Sequence, residues 1–131
     1  MGVEPRWVSP SEVIVINQRM VDPAGHPHRL LSQELLEAAC FRPANAWHYV
    51  HEDNVLELAG LLMFGLAKNH PFQDGNKRTG FTAGVLLMQR NGYDLAMPDD
   101  VAIADAMCSV ISGEMEPRAF LDILEPYVVE F

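Results

Sequence analysis

Apolar positions recur along this chain mostly at three- and four-residue spacing, which predicts helices joined by short loops. Ser9-Pro10-Ser11-Glu12 combines a capping serine, a glutamate three positions on and a proline at the first helical position. The helix it opens places Val13, Ile16 and Met20 on one face and stops near Asp22-Pro23, although the β-branched run Val13–Ile16 also permits a strand. Ala24–Leu31, with its Gly, Pro and two His, reads as a loop. Ser32 then caps a short helix that ends before Arg42-Pro43, because the residue before proline resists the helical region.

Asp53 is the expected cap of the next helix, which runs to about Asn69 and is ended by Pro71. Its leucines, Met63 and Phe64 cover nearly every face, the mark of a buried central helix. Gly60 and Gly65 inside it cost about 1 kcal/mol each against Ala, which predicts a closely packed neighbour. A further helix runs from Asn76 to Asn91-Gly92, with Phe81, Val85 and Met88 at helical spacing. Asp99–Ser112 gives another, with the stripe Val101, Ala104, Cys108 and Ile111, and Pro117–Leu124 gives the last. The fold expected is all-α: a compact six-helix bundle around a buried central helix, with residues 1–131 as a single domain.

Composition narrows the function classes. At 49% apolar and 21% charged, the chain has an ordinary globular profile, not a disordered one. Nine basic against eighteen acidic side chains leave a net charge of −9, which repels phosphate backbones and argues against a nucleic-acid partner. Cys40 and Cys108 stand far apart with no CxxC, so neither a disulfide scaffold nor a cysteine metal site is indicated, and a reducing, cytoplasmic setting fits. The N-terminus has no apolar signal core, and no stretch approaches the roughly 20 apolar residues of a membrane span.

The chemistry is concentrated in His70-Pro71-Phe72-Gln73-Asp74-Gly75-Asn76-Lys77-Arg78-Thr79-Gly80. A buried helix delivers His70 at its end, and Asp74-Gly75-Asn76 turns the chain into a new helix whose first N–H groups are free. Such a helix start is an anion site. Lys77 and Arg78 then occupy the first turn, where cations are unfavourable by about 0.3–1 kcal/mol each unless a polyanion sits among them. Asp74 is a hard oxygen ligand of the kind that holds Mg²⁺ beside nucleotide phosphates. His70 is suited to taking a proton from an attacking hydroxyl. Base, metal carboxylate, anion site and two cations together point to phosphoryl or nucleotidyl transfer. A P-loop is excluded, because Phe81 stands where its lysine must be and a helix, not a strand, precedes the glycines.

HPFQDGNKRTG, with Arg42-Pro43 and Leu66-Ala67-Lys68-Asn69 upstream and Asn91-Gly92-Tyr93 downstream, resembles the Fic/Doc superfamily, and within it the death-on-curing (Doc) toxins. The resemblance covers roughly Ser9 to Phe120. It implies ATP and Mg²⁺ as cofactors, His70 as general base, Asp74 as the metal ligand, and Gly75, Asn76, Lys77 and Arg78 as the nucleotide-binding set. It also places Lys77 and Arg78 with His70 and Asp74 in the catalytic group. AMP-transferring Fic enzymes carry a small Gly at the first of these positions and a second Arg three residues beyond the other; here Lys77 and Phe81 occupy those places. With Lys77 on the Doc side, the resemblance implies transfer of the γ-phosphoryl group, and the family's substrate implies a Ser/Thr hydroxyl of a translation factor, elongation factor Tu, as the acceptor, and so a block of translation. A small antitoxin whose disordered tail folds on binding is the implied partner. The alternatives are a Fic-type AMP transferase and a catalytically dead antitoxin-binding module.

Outside the loop the expectations are plainer. Where Doc-like chains carry a Gly-Ile-Arg-Asp-like stretch this one departs, with Gly25–Leu31 in its place and Arg29 as the candidate stand-in. Phe41–Glu52, with Trp47 and Tyr49, lies where related enzymes dock their target, and Trp47 is equally expected as a core filler. Phe72 is expected in the core, anchoring the loop. His26-x-His28 and His48-x-x-His51 lack a third ligand and read as solvated loop histidines.

Overall fold

The computed structural model describes residues 2–22, 28–97 and 101–131. Within them six α-helices form the fold: α1 (Pro10–Val21), α2 (Gln33–Val50), α3 (Val55–Asn69), α4 (Asn76–Arg90), α5 (Val101–Ser112) and α6 (Pro117–Leu124). Two three-residue strands, β1 (Tyr93–Leu95) and β2 (Val128–Glu130), pair antiparallel with Tyr93 opposite Glu130. The all-α architecture expected from the pattern is the one observed. The strand pair was not foreseen, because three residues are too few to show a period of two.

The capping box at Ser9 forms as the sequence specifies. Its side chain accepts from the Glu12 amide while the Glu12 carboxylate accepts from the Ser9 amide, so two otherwise unpaired donors are satisfied together. The face of α1 that is buried differs from the one expected. Val13, Asn17 and Val21 point inward, at i, i+4 and i+8, while Ile16 and Met20 sit at the margins.

Helix α2 corrects the sequence reading most. It does not stop before Arg42-Pro43 but runs through Pro43 to Val50. Proline inside a helix removes one hydrogen bond and costs about 3 kcal/mol. Here Leu36, Ala39, Cys40 and Pro43 form one buried face against α3, and that packing outweighs the loss. His48 and His51 consequently lie at the end of a helix rather than in a loop. His48 Nε2 is 3.3 Å from Glu4 Oε1, and His51 is the left-handed C-cap. Trp47 is half-buried against the core, whereas Tyr49 is exposed.

The central helix is α3, ten of whose fifteen residues are buried. Its cap is Asn54, not Asp53: the Asn54 side chain accepts from the Glu57 amide at 3.1 Å. Close packing is visible on two sides. A Cβ at Gly65 would lie 3.3 Å from Ala39 Cβ on α2, and one at Gly80 of α4 would lie 2.7 Å from the Met63 carbonyl oxygen. Phe64 meets Phe120 of α6 edge to face, with ring centroids 5.4 Å apart. Asn91 and Gly92, the latter at φ 90°, end α4 and turn the chain into β1.

Helix α5 is rotated from the expected stripe. Among its residues of described burial, Ala106, Met107 and Val110 are buried, whereas Ala104 and Cys108 face out toward a cleft; the side chain of Val101 lies outside the description. Its expected start at Asp99 lies outside the described residues. Among the described residues no helix is long and apolar enough to cross a membrane.

Candidate active site

The loop between α3 and α4 is shaped from its first residue. His70 caps α3 in the left-handed region at φ 53° and ψ 52°, its N–H donating to the Leu66 carbonyl at 3.2 Å. A non-glycine residue there costs about 1–2 kcal/mol, and the turn it makes swings the chain off the helix axis. Pro71 cannot continue the helix. Phe72 then drops into the core with no exposed surface, the anchor the sequence indicated.

Two sets of hydrogen bonds fix the loop around that anchor. On one side it pairs with the stretch before α2: Leu31 N–H donates to the Pro71 carbonyl at 2.7 Å, and Gln73 N–H to the Arg29 carbonyl at 2.9 Å. On the other, Asn76 reaches back, accepting from Phe72 N–H at 2.9 Å and donating to the Phe72 carbonyl at 2.8 Å. The Asn76 side chain is thus engaged at both ends. What it leaves for a ligand is the backbone N–H.

Gly75, at φ 76°, begins α4 and supplies no side-chain cap. The opening N–H groups of the helix, at Asn76, Lys77 and Arg78, precede the first intrahelical bond, which Thr79 N–H makes to Gly75 O at 2.8 Å. No acidic side chain stands in this first turn. Lys77 and Arg78 are exposed beside it. The helix dipole and two cations therefore add at one point, which favours a multiply charged anion.

His70, Asp74, Gly75, Asn76, Lys77 and Arg78, the whole set named from sequence, line a single cleft of about 750 Å³. Asp74 is half-exposed, with its carbonyl rather than its carboxylate bonded to the protein among the described contacts. Among the described residues the carboxylate has no partner, so it is available to take a cation. No three His, Cys, Asp or Glu side chains gather into a metal cage among the described residues. A magnesium ion here would be held by one carboxylate together with phosphate oxygens and water, which is how Mg²⁺ commonly sits beside nucleotides.

The cleft also has parts the sequence reading did not assign to it. Met97, Ile103, Met107 and Ile111 form an apolar wall opposite the loop, with Cys108 among them. Asn17 supports the loop from beneath, and His28, read as a solvated histidine, is half-buried with its Nδ1 2.7 Å from Asn17 Oδ1 and its ring 5.8 Å from that of Phe72. The available signal was a polar residue at the centre of an apolar helical face, at i+4 from Val13 and i−4 from Val21. Arg29 is exposed, and its backbone rather than its side chain serves the loop.

A family model described as the Fic/DOC family matches residues 7–88. The protein kinase doc of Escherichia phage P1 is 25% identical over 119 residues, covering 91% of this chain and 93% of that protein. The toxin Doc of Mycolicibacterium smegmatis is 34% identical over 79 residues, 60% of this chain and 61% of its own. The matched stretch contains α1, α2, α3, the loop and all but the last two residues of α4, and it spans more than half of the sequence: the chain belongs to the Fic/Doc family.

Proposed function

We propose that this protein is a Doc-like toxin kinase, transferring the γ-phosphoryl group of ATP to a Ser/Thr hydroxyl of a translation factor, elongation factor Tu by family resemblance. The observation that carries the reading is the convergence of a base, a free carboxylate, open helix amides and two cations on one cleft. The name of the phage P1 relative, a protein kinase, supports phosphoryl transfer. An antitoxin partner follows from the toxin name of the second relative.

In this reading the α4 amides with Lys77 and Arg78 bind and orient the phosphates. His70 takes the proton of the target hydroxyl as its oxygen bonds to the γ-phosphorus. The bond from that phosphorus to the β–γ bridging oxygen breaks, and ADP leaves. Asp74 would hold a magnesium ion, which would supply neutralisation of phosphate charge when bound. Almost all of the catalysis is positioning and charge stabilisation, which suits a site built from backbone and a few charged groups. The apolar wall gives the nucleotide's base a dry surface.

Intact-mass analysis of elongation factor Tu after incubation with this protein, ATP and Mg²⁺, beside the His70→Ala variant, tests the proposal. The expected result is one added phosphoryl group, lost in the variant. An added AMP group would overturn phosphoryl transfer in favour of nucleotidyl transfer. An unmodified target would overturn the substrate assignment.

A further inference from the structure

The polar interior of this protein is gathered in one place. Among the described residues the buried polar side chains are Asn17, Asn76 and Thr79, and all three serve the loop between α3 and α4. Asn76 belongs to that segment. Asn17 does not: it comes from the middle of α1 and has no exposed surface. Its Nδ2 donates to the Asp74 carbonyl at 2.8 Å and to Thr79 Oγ1 at 3.1 Å. A carbonyl only accepts, so the NH₂ group must face Asp74 and the Oδ1 atom must face His28. His28 therefore donates from Nδ1 in every protonation state that keeps this bond.

Packing does not account for an amide here. An apolar residue at position 17 would continue the Val13–Val21 face, whereas a buried amide costs about 1–3 kcal/mol wherever a bond is missed. The contacts it makes are specific. It fixes the carbonyl of the residue that carries the free carboxylate, and it holds the Thr79 hydroxyl one turn into α4. A Cβ at Gly75 would lie 3.3 Å from Asn17 Nδ2, so the amide also lies directly against the start of the anion site.

We infer that Asn17 is a positioning residue of the site: by holding the Asp74 carbonyl it sets the direction in which the Asp74 carboxylate meets a magnesium-bound nucleotide. This rests on the magnesium–ATP reading above. Asn17 touches neither nucleotide nor target, and it acts through Asp74 and Thr79, with His28 holding the amide in its orientation.

The test is the magnesium dependence of ATP binding, measured by titration calorimetry on the full chain, for wild type, Asn17→Leu and Thr79→Val. Leucine keeps the size and removes the donors; valine keeps the shape of threonine and removes the acceptor. The expected result for Asn17→Leu is a rise of roughly tenfold in the magnesium concentration giving half-maximal binding, the lower end of what loss of a ligand's supporting bond produces. Magnesium-free ATP binding, which depends on the cations and amides, stays close to wild type. Thr79→Val shifts the same quantity in the same direction by less, and it carries the test if Asn17→Leu does not fold. Amide hydrogen exchange should quicken over residues 73–75 in both variants while the middle of α3 keeps its protection, which a general loss of stability would not produce. Folded variants with the wild-type magnesium half-point would overturn the inference and leave the function standing. Wild type that binds no ATP at any magnesium concentration would overturn both.

Discussion

Replacing Asn76 by alanine isolates the energetic weight of the loop. The Asn76 side chain is buried, and it supplies the partners of both the N–H and the carbonyl of Phe72. The neighbouring bridge uses Pro71 and Gln73 instead, so Phe72 has no substitute partner there. Each lost bond contributes about 0.5–1.5 kcal/mol, and each buried group left without a partner costs about 1–3 kcal/mol. With water reaching part of the cavity, Asn76→Ala should lower stability by about 2–5 kcal/mol, which at about 4 °C per kcal/mol means a melting point lower by roughly 8–20 °C. Guanidinium denaturation followed by circular dichroism gives the free energy, and a thermal scan gives the shift. Lys77→Ala, at an exposed position one residue on, should stay within about 0.5 kcal/mol of wild type. A loss below about 1 kcal/mol for Asn76→Ala would mean that the loop does not hang on this side chain and would refute the account of how it is shaped.

Other outcomes follow from single contacts. Gly75→Ala places a side chain at φ 76° and a Cβ 3.1 Å from Val21 Cγ1, and should cost about 1–2 kcal/mol in denaturant midpoint while weakening ATP binding, as measured by calorimetry. Gly80→Ala puts a Cβ 2.7 Å from the Met63 carbonyl, so α4 must move off α3; a melting curve unchanged from wild type would contradict the approach described. Of the two thiols, exposed Cys108 should react at once with a disulfide reagent, and Cys40 only after unfolding. Burial, with Glu37 nearby, pushes the Cys40 thiol from 9.0 up to about 12. Between those values the unfolded chain releases a proton that the folded one keeps, so stability falls as pH rises through that window. Cys40→Ala should flatten this part of a stability–pH profile.

What the sequence made legible, and what it did not, separates by range. Ser9 and Glu12 act within four residues of each other, so their capping box was readable, as were α6 from Pro117 and the all-round apolar surface of α3. The candidate-site loop was readable because its residues are contiguous and break the usual rules of a helix start together. Pro43 misled because the local preference of Arg42 against helix lost to packing that only the folded neighbour α3 supplies. The α5 stripe misled for a related reason: an apolar residue is needed for the wall of a cleft as much as for a core, and Ala104 and Cys108 serve the former. Asn17 was passed over because a polar residue in a helix normally marks the solvent side. Two of its three partners lie 57 and 62 positions away and the third, His28, eleven, where no local pattern reaches.

The two sides of the cleft are encoded separately. Every charged or titratable group assigned to the chemistry falls between His70 and Arg78, while much of the opposing wall comes from one side of α5, more than twenty residues later. Substitutions in α5 can therefore change the shape and width of what fits without moving a reacting atom. If the loop is the reacting part, as proposed, chemistry and selectivity can drift independently, and a library confined to Ile103, Ala104, Met107, Cys108 and Ile111 would explore new ligands with the His70–Arg78 loop unaltered.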